Sequence, residues 1–191
     1  LGLINKVTQI RSPNQQPNSE NLKNWGLGEG MSAGASIVHQ HVRLGEEAAK
    51  ERLDWFIANK VMYYSSSRDI PSLDGTSGLS ENLSLGEISP IECWNAGVQA
   101  LEAGHDAAEI FLKELVWREF AYHLAYHTPR ILDQNWRQEW DSFPWNTNEN
   151  DENVLLWKQG RTGVPFVDAA MRELYITCLL YTSPSPRDLW I

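Results

Sequence analysis

The chain has 191 residues, 42% of them hydrophobic, with nine tryptophans and a formal net charge of -9 from 16 Lys and Arg against 25 Asp and Glu. That length and apolar content support one packed domain and exclude a disordered chain, while the acidic balance weighs against a protein that coats nucleic acid by general phosphate neutralisation. No apolar run reaches bilayer-spanning length, no secretory leader pattern opens the chain, and Cys93 and Cys178 form no CxxC pair, so a reduced, cytoplasmic setting with no membrane is expected.

Residues 1–42 are rich in Asn, Gln, Ser and Gly without a sustained apolar period, and read as a linker or poorly ordered lead-in. The acidic clusters Glu46-Glu47-x-x-x-Glu51 and Glu149-x-Asp151-Glu152 read as solvated faces and loops, which leaves room for a local basic mouth. From Glu46 to about Tyr64 the pattern is helical, with Leu53, Phe56, Ile57, Lys60 and Val61 on one face. A polar, Gly-punctuated stretch from Ser65 to Gly86 follows. Ser89-Pro90 then predicts an N-cap and a first-turn proline, opening a helix to about Gly104. Asp106-x-x-Glu109 resembles a capping box, predicting a second helix that ends near Thr128-Pro129. A Trp-rich connection runs from Ile131 to Trp157, and Gly163-Val164-Pro165 starts a last helix to about Thr177. No alternating strand pattern and no internal repeat is found. The expected class is all-α.

Wound at roughly 100° per residue, the helix from Asp106 to His127 divides into two faces. Glu109, Lys113, His123 and His127 share a wet side, while Phe111, Leu115 and Tyr122 share the side expected to face inward. Glu114 and Arg118, one turn apart, fall on that inward side, with Trp117 flanking them. A carboxylate and a guanidinium on an apolar face are costly unless they satisfy each other or a cavity receives them. The pattern alone is served equally well by either arrangement. Other candidates carry less: His39-x-His41 has metal-like spacing but no carboxylate or cysteine beside it, so a solvated loop outweighs a metal site. Cys93, inside an apolar helix, reads as a core residue.

Three segments carry a more specific signal: Gly75-Thr76-Ser77-x-Leu79-Ser80 followed by Gly86-Glu87-Ile88-Ser89-Pro90, then Glu114-Leu-Val-Trp117-Arg118-Glu119-Phe120, then Trp157-x-x-Gly160-Arg161-Thr162-Gly163-Val164-Pro165-Phe166-Val167-Asp168-Ala169-Ala170-Met171-Arg172-x-Leu174. In this order and spacing, over about Gly45 to Thr177, they resemble the helical FAD-binding domain of the photolyase/cryptochrome family, nearest to cyclobutane pyrimidine dimer photolyases. The resemblance implies that the Thr76, Ser77, Gly78, Leu79 and Ser80 segment wraps the FAD diphosphate with backbone amides and hydroxyls, as suits small residues beside an anion. It implies further that Tyr64 is an upstream aromatic contact, Phe111 a flavin-side residue that is often Trp, and Arg118 a phosphate-facing arginine. Gly78, often Arg in the family, and Glu81, often Pro, depart from the pattern.

By the same resemblance Glu114, Trp117 and Arg118 meet the damaged DNA. Trp117 would stack on the flipped-out pyrimidine dimer, and Glu114 would hydrogen-bond a base edge and stabilise the charge that develops on the lesion. Trp145, in Phe143-Pro144-Trp145, matches the outermost member of the family's tryptophan electron-transfer chain, although Trp136 and Trp140 nearby show that packing alone could account for it. The implied activity is light-driven repair of pyrimidine dimers by electron transfer from reduced FAD, with dimer-containing DNA as partner and no protein partner expected. An antenna chromophore is expected in an N-terminal α/β domain absent from this chain. Two rivals remain: a cryptochrome-like blue-light photoreceptor without repair activity, and a helical interaction domain without flavin.

The domain organisation implied is a lead-in at 1–42, a partial FAD-binding domain at 43–177 and a tail at 178–191. The first residue is Leu, so the natural start is expected upstream. The tail Cys178-Leu-Leu-Tyr-Thr-Ser-Pro-Ser-Pro-Arg-Asp-Leu-Trp-Ile191 breaks the family pattern and reads as a sequencing artefact. The fragment by itself is expected to bind FAD weakly or not at all, to repair nothing and to aggregate through exposed helix faces.

Overall fold

The computed structural model describes residues 14, 18–27, 35–148 and 150–177, and the tail at 178–191 lies outside them. The described residues are helical and contain no strand. Two short elements occur in the lead-in: a 3-10 turn at Leu22–Trp25 and helix α1 at Ala35–Val38. Helix α2, Glu46–Asn59, buries Ala49, Leu53 and Phe56, the face that the apolar spacing marks. A 3-10 turn at Val61–Tyr63 passes into α3, Tyr64–Ser67, and α4 occupies Ser80–Leu85.

Helix α5, Pro90–Glu102, begins as its sequence dictates. Ser89 accepts from the Ile91 amide at 3.2 Å, the Glu92 carboxylate accepts from the Ser89 amide at 3.2 Å, and Pro90 occupies the first helical position. Helix α6, Ala108–His127, starts differently from expectation. Its N-cap is Ala107 without a side-chain cap, because the carbonyls of His105 and Asp106 accept from the Ala108 and Glu109 amides in a preceding turn. The Trp-rich connection is not all loop. It holds 3-10 turns at Pro129–Leu132 and Gln138–Ser142 and helix α7, Glu152–Lys158, which Asp151 caps by accepting from the Asn153 amide. The last helix, α8, runs Pro165–Thr177.

The core is where α2, α5 and α6 meet. Phe56, Cys93, Ala100, Ala108, Phe111 and Leu115 are buried together there, joined by Val61, Tyr64, Leu79 and Ile88 from the connecting segments. A large apolar side chain buried this fully stabilises the fold by roughly 1.5–3 kcal/mol. Helix α8 buries Met171 and Leu174 and contacts α7 and α1. No helix among the described residues is long and apolar enough to cross a membrane.

The segment leading into α8 is tied by one carboxylate. Asp168 accepts from the Thr162 amide at 2.7 Å, the Thr162 hydroxyl at 2.6 Å and the Gly163 amide at 3.1 Å. Arg172 in turn donates twice to the Gly160 carbonyl, at 2.9 and 3.1 Å. Gly160 sits at φ +61°, and a Cβ there would lie 2.9 Å from the Asp168 carbonyl oxygen, so only glycine fits. The hydrogen bonds from Thr162, its hydroxyl first, hold the Asp168 carboxyl below its ordinary value of 3.8. A carboxyl lowered on folding contributes stability above its unfolded value and loses it as pH falls through the folded value. Hydrogen exchange at the amides of Thr162 and Gly163 is therefore expected to accelerate as pH drops below about 4, relative to amides elsewhere. Asp168→Asn should abolish that acid dependence.

Candidate functional site

Between α3, the loop leading into α4, and α6 lies a cleft of about 620 Å³. Its walls include Tyr64, Thr76, Ser77, Gly78, Leu79, Ser80, Phe111, Glu114 and Arg118. The eight residues that the resemblance implies contact the cofactor come from separate stretches of chain, and the fold brings all eight to this one cavity with Glu114 beside them.

The floor is aromatic. Phe56 of α2 packs edge-on against Tyr64, with ring centroids 5.5 Å apart, and tilted against Phe111 at 4.9 Å. Tyr64 and Phe111 meet edge-on at 5.9 Å. Burial pushes the Tyr64 phenol above its ordinary value, so it stays neutral at physiological pH. Cys93 also reaches the cleft wall while fully buried, and burial pushes its thiol up to about 11. From an ordinary 9.0, that lowers the thiolate fraction by about 100-fold near neutral pH. Iodoacetamide labelling of Cys93, followed by peptide mass spectrometry, is expected to be at least that much slower than labelling of a free cysteine. Labelling at the free-thiol rate would show that this wall opens to solvent.

The polar wall departs from the i,i+4 pairing that the helix suggests. Glu114 is paired with Arg68 at the end of α3, not with Arg118. Arg118 instead donates to Glu119 at 2.6 Å and to the Tyr122 hydroxyl at 3.4 Å, and lies over the Tyr122 ring at 4.7 Å. The hydrogen bond to Glu114 is also the first cause of the raised pKa of Arg68. Arg68 lines the cleft as well, and sequence spacing could not single it out, since it lies 46 residues from its partner. On the far side of the Thr76-Ser77-Gly78 turn, Arg52 of α2 donates to the carbonyls of Ser77 at 2.7 Å and Thr76 at 3.2 Å and to Asp74 at 2.9 Å.

Two assigned residues lie outside the cleft walls. Trp117 is 63% exposed, edge-on to Phe120 at 5.7 Å. Trp145 is 54% exposed and belongs to a surface aromatic group with Phe143 at 4.5 Å and Trp140 at 6.3 Å, its indole N–H donating to the Trp140 carbonyl at 3.0 Å. Tyr122, expected inside, is 58% exposed at the cleft rim. The reason is length: α6 has 20 residues and α5 has 13, so the second half of α6 outruns its packing partner. The wet face is where the periodicity puts it, with Glu109 and Lys113 paired at 2.8 Å and the His123 and His127 rings 4.4 Å apart. Among the described residues no three side chains gather as a metal site.

Comparison with known proteins converges on one family. Residues 111–182 match the family model described as the FAD binding domain of DNA photolyase. The deoxyribodipyrimidine photo-lyase of Agrobacterium fabrum is 39% identical over 168 residues, covering 87% of this chain and 34% of the relative. The deoxyribodipyrimidine photo-lyase of Thermus thermophilus is 39% identical over 137 residues, covering 71% of this chain and 31% of the relative. The crystal structure of a bacterial class III photolyase from Agrobacterium tumefaciens superposes with a TM-score of 0.80 at 37% identity, over 89% of this chain and 35% of that one. The chain thus spans about a third of the length of the relatives it matches.

Proposed function

Since the chain belongs to the DNA photolyase family and holds part of its FAD-binding domain, we propose that it comes from an enzyme that repairs cyclobutane pyrimidine dimers in DNA under light, using reduced FAD. The observation that carries the reading is the convergence of Tyr64, the Thr76–Ser80 segment, Phe111, Glu114 and Arg118 on one cleft. The donor set fits a dinucleotide. The amides of Thr76, Ser77 and Gly78 make no hydrogen bond to any other described residue, three hydroxylated side chains stand beside them, and Arg118 supplies positive charge on the opposite wall.

In this reading Thr76, Ser77, Gly78 and Ser80 would hold the diphosphate, Leu79 would close the turn, and Tyr64 and Phe111 would pack against the cofactor as the aromatic floor. Bound reduced FAD supplies the electron that light transfers to the lesion. Arg68 would hold the Glu114 carboxylate at a fixed place on the wall, ready to hydrogen-bond the edge of a flipped-out base. Trp117 would offer its exposed indole face to the unstacked dimer, and Arg118 would serve both cofactor and DNA phosphate. Trp145 would be the surface member of a tryptophan relay that passes electrons to the flavin. The domain would be completed by chain beyond the described residues, with an antenna chromophore carried outside this segment, in an intracellular protein.

The complete protein that carries this segment, purified from cells, is expected to release FAD on acid treatment. In the dark it is expected to bind an oligonucleotide with one thymine dimer in preference to the undamaged strand. Absence of flavin would leave a helical interaction domain and defeat the proposal.

A further inference from the structure

We propose that Arg52 is the positioning residue of the Thr76-Ser77-Gly78 turn, and that glycine at 78 is what admits it. The inference rests on the reading of the cleft as a diphosphate site. Arg52 reaches the turn from α2, 25 residues earlier in sequence, and its guanidinium forks between two consecutive carbonyls, Ser77 at 2.7 Å and Thr76 at 3.2 Å, while Asp74 accepts at 2.9 Å. The Trp55 ring supports the guanidinium from 4.4 Å. In a trans peptide unit the C=O and N–H point to opposite sides, and no cis peptide occurs among the described residues. The Thr76 carbonyl shares its peptide with the Ser77 amide, and the Ser77 carbonyl with the Gly78 amide. Pinning both carbonyls toward α2 therefore turns the Ser77 and Gly78 amides away from α2. Those amides are two of the three that the diphosphate reading requires.

Gly78 completes the arrangement. It lies at φ +61°, and a Cβ built there would stand 3.0 Å from Arg52 Nη2 and 3.1 Å from Nε. Gly78 also forms a wall shared by the cofactor cleft and two further hollows that Arg52 lines on the other side. A side chain at 78 would strain the positive-φ backbone and press the guanidinium back by a few tenths of an ångström, and a shorter side chain at 52 would leave the carbonyls free to rotate. The two positions are expected to act as one unit.

The test uses the complete protein bearing Arg52→Ala, Arg52→Gln or Arg52→Lys, alone and with Gly78→Ala. Two quantities are read: the FAD dissociation constant, and the rate of limited proteolysis between Asp74 and Ser80 in flavin-free protein. Arg52→Ala and Arg52→Gln are expected to weaken FAD by about tenfold or more and to speed cleavage of the turn, with thermal melting little changed. Lysine keeps the charge but not the fork, and should restore only part of the affinity. Gly78→Ala should weaken FAD less in the Arg52→Ala background than in the native one. If Arg52→Ala fails to fold, Gln and Lys give the same reading. Unchanged affinity overturns the proposal, whether the turn is cleaved at the native rate or faster. Faster cleavage alone would make Arg52 a structural tie and no more. If the unmutated protein binds no flavin, the cleft reading fails, and cleavage alone then decides whether Arg52 holds the turn.

Discussion

Replacing Phe56 with alanine is expected to cost about 3–5 kcal/mol of folding stability and to abolish flavin retention with it. Phe56 is fully buried, and its ring packs against both Tyr64 and Phe111, the two aromatic walls of the cleft. Its loss removes large apolar burial, and the neighbours can refill the space only by leaving their positions in the cleft. Chemical denaturation of the complete protein, with flavin absorbance followed in parallel, reads both effects. A variant that loses stability but keeps full flavin content would show that Phe56 supports the core without shaping the cleft. Phe56→Leu, which keeps most of the volume, should retain most of the stability and part of the flavin.

Trp117→Ala is expected to separate lesion recognition from cofactor binding. The side chain is largely exposed and does not line the cleft, so stability should change by less than about 0.5 kcal/mol and flavin content should not change. Stacking of a base on an aromatic ring contributes roughly 1–3 kcal/mol, which predicts about a 5- to 150-fold loss in dark affinity for a dimer-containing oligonucleotide. Affinity for undamaged DNA should hardly move, because it depends on phosphate contacts that this substitution leaves in place. An unchanged preference for damaged DNA would place the lesion somewhere other than beside Trp117.

What could be read from the chain was local. The Ser89-Pro90 start of α5, the inward face of α6 through Phe111 and Leu115, and the Pro165 start of α8 each follow from residues a few positions apart. The residues that the motif resemblance implies hold the cofactor come from three elements, and the fold brings them to one cleft. The ion pairing was not legible. Glu114 has Arg118 one turn away and still pairs with Arg68, because the end of α3 packs across α6 at that height. The role of Arg52 is not legible for the same reason, since its partners lie two dozen residues downstream and are mostly backbone carbonyls with no side-chain signature. Helix α7 was hidden among tryptophans that dominate its surroundings, although Asp151 before it, Glu152 in its first turn and Lys158 at its end carry the charge pattern of a short capped helix. Tyr122 was misplaced because periodicity says which way a side chain points and not how far the neighbouring helix extends.

If the cleft serves light-driven dimer repair, as proposed, repair itself can be measured directly. The complete protein with reduced FAD is mixed with a thymine-dimer oligonucleotide, and intact dimers are counted after blue-light exposure and after an equal time in the dark. Dimers are expected to be lost only in the light, with slower repair per photon in Glu114→Gln, whose amide cannot replace the carboxylate that Arg68 holds in place. Bound flavin with dimers undiminished in the light would contradict the proposal, and would make the protein a blue-light photoreceptor instead.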